Sequence, residues 1–177
     1  MGDLSAKLKL YFYFLLPSLF ATLITILSTV HLHMNVVSGV MPIFLSICIY
    51  YWCVYNPDFF PKWFVLAIGI FYDLIHGTPI GITSLVNLIL WWMVVQQRRF
   101  LVKENFPVIW GVFIIYSFGV CLLTWILNCL YFSKIFLNTD IVLQWILSVL
   151  IYPVFHRIFN IIYFLIIENF LYVSKSK

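Results

Sequence analysis

Long apolar runs make up most of this chain, and short polar interruptions divide them into segments of helical length. The segments cover residues 10–30, 39–55, 63–76, 79–95, 107–131 and 141–156, with a further apolar stretch over 158–173. Several approach the roughly 20 residues that cross a ~30 Å hydrocarbon core. The third, Trp63 to His76, does not: its fourteen residues rise only about 21 Å. The fourth follows at once from Pro79, so the two form a tight hairpin. The pattern predicts an all-α, polytopic membrane protein of about six transmembrane helices, in a single integral membrane domain.

Interruptions place the breaks. Asn56-Pro57-Asp58 and Pro61-Lys62 end the second segment and start the third, because proline cannot continue a helix but suits its first turn. Tyr50, Tyr51, Trp52, Tyr55, Trp63 and Phe64 flank this loop and read as an aromatic girdle at a membrane–water boundary. Gln96-Gln97-Arg98-Arg99 and Lys103-Glu104-Asn105 form the most polar loop. Gly111 and Gly119 share a face of the fifth segment and permit close backbone approach. Pro153 with His156 and Arg157 favours a break that leaves 158–173 along the inner surface. The other reading extends the last span and buries Arg157, at a depth where it would be a partner for Asp73.

Composition agrees with this class. Of 177 residues, 64% are hydrophobic and 9% charged, where a soluble domain carries about a quarter charged. The net charge of +4 is scattered, which is no footprint for nucleic acid. It is instead a topology signal: with an inside N-terminus and six spans, nine of the ten Lys and Arg fall inside and only Lys134 outside. Lys7 and Lys9 precede a first run too long for a signal peptide, so it reads as a retained span with both termini cytoplasmic. Cys48, Cys53, Cys121 and Cys129 lie in apolar segments without a zinc or redox spacing. His31 and His33, next to Asn35, supply too few ligands for a metal and read as loop polarity.

One stretch breaks the apolar pattern. Within Gly69 to Gly81, Asp73 has no charged residue within ten positions on either side. An isolated acid at membrane depth is costly and marks a candidate functional position. Gly77 is suited to close the third helix in the left-handed conformation, Thr78 to cap the fourth, and Pro79 to begin it. The N–H groups at that helix start would then lie close to Asp73. Gly69, Asp73 and Gly77 recur every four residues, and Thr83, Ser84 and Asn87 form a polar strip on the fourth helix. These two faces suit close, hydrogen-bonded packing. Three roles stay open: a self-satisfied structural knot, a contact for a partner helix or loop, and a substrate or proton site. No nucleophile–base pair, phosphate loop or metal-ligand cluster is present, so neither catalysis nor a cofactor is expected.

Gly69-x3-Asp73-Leu74-Ile75-x-Gly77-Thr78-Pro79-Ile80-Gly81 resembles the central Asp…Gly-(Thr/Ser)-x-(Leu/Ile)-Gly signature of the bacterial rod shape-determining protein MreD family. Length, span number, the Pro57 loop and Tyr152-Pro153 near the end of the last span strengthen the resemblance. The apolar tail over 158–173 departs from it, since members of the family usually finish in a short basic tail. The resemblance implies a non-enzymatic inner-membrane scaffold subunit of the cell-elongation machinery that builds lateral peptidoglycan. Its implied partners, besides the lipid bilayer, are an MreC-like bitopic shape protein and, through it, MreB filaments and the RodA polymerase with its transpeptidase. The resemblance also implies a fold similar to the substrate-binding subunits of energy-coupling-factor transporters. The alternative expectation is accordingly a small-molecule-binding membrane subunit of a transporter.

Overall fold

The computed structural model describes residues 17–26, 40–133 and 139–175, with side chains described as far as 164. The loop residues His31, His33, Asn35 and Lys134 lie outside the described residues. Among the described residues there are six α-helices: α1 (Pro17–Ile26), α2 (Phe44–Tyr55), α3 (Lys62–His76), α4 (Ile82–Leu101), α5 (Phe106–Phe132) and α6 (Thr139–Lys175). A short 3-10 turn, Pro57–Phe59, joins α2 to α3. Among the described residues two helices are long and apolar enough to cross a membrane, α5 and the Thr139–Phe164 part of α6.

The bundle is organised around α2. Ten of its twelve residues are buried, so it is a core element rather than one with a single inner stripe. It packs against α4, α5 and α6. Tyr50, Tyr51 and Trp52 are consequently fully enclosed, where the sequence suggested a boundary girdle. Neighbours on every side leave no outward face for those rings. Trp63, at the start of α3, is by contrast 70% exposed.

Polar groups at the helix ends hold α2 in place. Ser148 of α6 accepts a hydrogen bond from the N–H of Ile43, which precedes the first turn. At the other end Arg98 of α4 donates to the carbonyls of Val54 and Tyr55, at 3.2 and 3.0 Å. A cation there meets the negative end of the helix dipole and satisfies carbonyls that have no intrahelical donor. In the sequence Arg98 carried only a topology signal. Trp91 of α4 ties the following turn by donating its indole N–H to Phe60 O at 2.9 Å.

The break favoured at Pro153 and His156-Arg157 does not occur. Helix α6 runs continuously from Thr139 to Lys175 with Pro153 inside it. Proline lacks an N–H and so deprives the carbonyl four residues earlier of its partner. That carbonyl belongs to Val149, and Trp110 of α5 donates its indole N–H to it at 3.1 Å. A neighbouring helix thus supplies the missing donor, which is how an internal proline is tolerated where water is scarce.

Candidate functional site

Helices α3 and α4 pack together as a hairpin and lie in close contact at Gly69. A Cβ built on Gly69 would stand 2.6 Å from Ser84 Cα and 2.9 Å from its backbone nitrogen, closer than packed atoms approach. Ser84 uses that proximity to donate its hydroxyl to Leu66 O of α3 at 3.0 Å. Gly69 is therefore small because a backbone lies where a side chain would be.

At the top of the hairpin α3 ends on Gly77 in the left-handed conformation, φ 65°. The N–H groups of both Gly77 and Thr78 terminate on the backbone carbonyl of Asp73. The chain then turns through Thr78-Pro79-Ile80, and Gly81 at φ 100° directs it into α4. Both glycine angles are strained for any residue with a Cβ.

Asp73 is completely buried and occupies the centre of this turn. Its Oδ1 accepts the Thr78 hydroxyl at 2.9 Å. Its Oδ2 accepts the N–H of Gly81 at 2.8 Å and that of Thr83 at 3.3 Å. A side chain from the end of one helix therefore caps the start of the next, and the dipole of α4 reinforces the bond. Every partner of the acid is neutral.

Two details differ from the expected roles. Helix α4 begins at Ile82 with Gly81 as its cap, three residues after Pro79. Thr78 does not cap it, because its hydroxyl is committed as a donor to Asp73 and a carboxylate takes the capping role. Pro79 sits in the turn, with its carbonyl accepting from Ile82 N–H at 3.3 Å.

The polar strip of α4 divides its work. Thr83 contributes a backbone N–H to Asp73, Ser84 fastens α3, and Asn87 reaches α2. Asn87 Oδ1 accepts the Ser46 hydroxyl at 2.9 Å, while its Nδ2 donates to Thr83 O at 2.9 Å. Ser46 had no assigned role in the sequence, since a serine inside an apolar run carries no periodic signal. Gly69, Asp73, Gly77, Thr78, Gly81, Thr83, Ser84 and Asn87 are thus joined into one connected fastening of α3, α4 and α2.

Arg157 is not part of it. Tyr152, His156 and Phe159 face the core, so a residue one step past His156 points out of the bundle, and Arg157 is exposed. The buried-charge reading of Arg157 is corrected accordingly. Cys48, Cys53 and Cys121 are buried and Cys129 is half-buried; all four are free thiols.

The family model described as rod shape-determining protein MreD matches residues 8–172, nearly the whole chain. No curated protein and no solved structure matches.

Proposed function

The chain belongs to the MreD family of rod shape-determining proteins, and we propose that it is a non-enzymatic scaffold subunit of the cell-elongation complex in the inner membrane. In this reading it spans the membrane six times with both termini cytoplasmic, and supports lateral peptidoglycan synthesis through an MreC-like bitopic partner. That partner links it to MreB filaments and to the RodA polymerase with its transpeptidase.

The observation that carries this reading is the state of Asp73. Its two oxygens are occupied by three donors of its own chain, so the acid fastens a hairpin and is not presented to a substrate. Gly69, Asp73, Gly77, Thr78, Pro79 and Gly81 then shape the α3–α4 surface that a partner helix or loop would read. The six-span topology gains support from the clustering of Lys62, Arg98, Arg99 and Lys103, all at the end of the bundle where α2 and α4 finish and α3 and α5 begin.

Depletion in the native cell tests the proposal: rods are expected to round up, and pull-down from native membranes is expected to recover an MreC-like protein. Unchanged shape with no such partner would overturn it. For the topology, a reporter fused after Lys177 is expected to read cytoplasmic. One observation favours the alternative transporter subunit, with its likeness to energy-coupling-factor binding subunits: a cavity among α2, α4, α5 and α6 whose lining is partly polar.

A further inference from the structure

The cavity lies beside the Asp73 fastening, at the end of the bundle where α2, α4 and α6 begin and α5 finishes. It holds about 340 Å³. At ~30 Å³ per water that is room for about ten water-sized groups, the bulk of one sugar ring or heterocycle. Clefts of equal or larger volume lie elsewhere on the molecule, so size does not single this one out. Its lining does, for a chain so poor in polar residues.

Among the described residues no charged side chain and no histidine lines it. Asp73 is close in sequence to two lining residues, Tyr72 and Thr83, yet its oxygens are turned to Thr78, Gly81 and Thr83 N–H. The polar lining is uncharged: Ser46, Asn87, Thr124, Asn128 and Gln144. Part of it is already satisfied, through the Ser46–Asn87 bond and the Asn128 Nδ2 bond to Thr124 O at 2.8 Å. Asn128 Oδ1, the Gln144 amide and the Tyr72 hydroxyl engage no hydrogen bond among the described residues. These residues are half-buried and line the open cavity, so their polar atoms are available to a group that enters it. Trp125 and Phe132 add aromatic surface to the same cavity.

We infer that this cavity is a binding site for an uncharged, ring-sized, hydrogen-bonding group, a sugar or an amide-bearing ring. Neutral donors and acceptors beside aromatic faces recognise such groups. The described lining offers an ion no counter-charge and so favours a neutral group. The group arrives either as a free small molecule or as the neutral headgroup of a lipid. The site holds whichever partners the chain assembles with, so cell shape and partner pull-down test the scaffold separately.

Cys129 on the cavity wall provides the probe. Chain purified from native membranes is first examined by native mass spectrometry. It is then alkylated with N-ethylmaleimide, with the label located by peptide mass spectrometry. Methyl glucoside represents the free form and octyl glucoside the lipid-borne form. The expected result is a retained neutral mass, or at least fivefold slower alkylation of Cys129 with one of the glucosides. Either effect should disappear in Asn128→Leu/Gln144→Leu, whose fold is checked by the unchanged burial of Cys48 from the reagent. Thr124→Val serves as the milder variant if the double one does not fold. Protection by methyl glucoside identifies the free form, and protection by octyl glucoside alone the lipid-borne form. A charged retained mass, or neither a retained mass nor protection, overturns the inference.

Discussion

The α3–α4 hairpin and the α2–α6 seam are held together in opposite ways. In the hairpin a few polar atoms do the holding, and Asp73 alone collects three donors on its carboxylate and two on its carbonyl. In the seam aromatic rings do most of it, beside two hydrogen bonds to α6, from Ile43 N–H to Ser148 and from the Tyr51 hydroxyl to Asn160: the rings of Tyr50, Phe113 and Tyr152 have centroids within 6 Å of one another, with Phe113 and Tyr152 stacked at 4.1 Å. Among the described residues four buried polar atoms lack partners, Trp52 Nε1, Tyr116 Oη, Tyr152 Oη and His156 Nδ1, and all belong to aromatic side chains enclosed by α2, α5 and α6. Stability in the hairpin therefore depends on individual bonds, whereas in the seam it depends mainly on shape and area. A hydrogen bond is a local constraint that one substitution removes, while ring packing is shared among many neighbours.

The largest effect is expected at the acid. Asp73→Ala strands two backbone N–H groups and a hydroxyl in the hairpin turn, at ~1–3 kcal/mol for each buried donor, or on the order of 3–9 kcal/mol together. The measurable outcome is loss of membrane abundance and of partner recovery. Wild-type levels of both would break the claim that this region depends on single bonds. Next comes Gly69→Ala, which drives a methyl into the Ser84 backbone. Overpacking of this kind costs ~1–3 kcal/mol. Thermal unfolding in detergent should show that loss, and a stability equal to wild type would mean that α3 and α4 are not held as close as the geometry indicates.

Much of the hairpin was legible because its signals are local. The i, i+4 spacing of Gly69, Asp73 and Gly77, and the punctuation of Gly77-Thr78-Pro79, need only the chain's own geometry. The three-residue error in the start of α4 arose where two local rules compete, since Thr78 can serve either as a cap or as a donor, and the nearby acid decides. Arg98, Trp110, Ser46 and Ser148 were illegible as fasteners, because each acts on a helix far away in sequence. The aromatic run of α2 misled for the same reason: girdle and core share a composition and differ only in what surrounds them.

The proline of α6 allows a sharper comparison, because there a single bond operates inside the seam region. Trp110→Phe removes the donor to Val149 O and should cost about 1–2 kcal/mol, the penalty of an unpaired buried carbonyl. Pro153→Ala restores an N–H that can serve that carbonyl from within the helix. In a double-mutant cycle the cost of Trp110→Phe should therefore fall by about 1 kcal/mol in the Pro153→Ala background, the ring packing cancelling between the two arms. Equal costs in both backgrounds would show that Trp110 contributes surface and not a bond.

The finest contrast deletes a hydroxyl from each region. Thr78→Val keeps the shape but removes the 2.9 Å bond to Asp73, and should destabilise by about 1–2 kcal/mol. Tyr152→Phe also keeps the shape but removes an oxygen that is buried without a partner. Its ring stays stacked on Phe113, and the desolvation penalty of the hydroxyl is relieved. The expected change is therefore between zero and about 1 kcal/mol of added stability. Paired unfolding measurements should separate the two variants in sign or nearly so. A loss at Tyr152 as large as that at Thr78 would mean that its hydroxyl is satisfied by enclosed water, and the seam would then be bonded in the same manner as the hairpin.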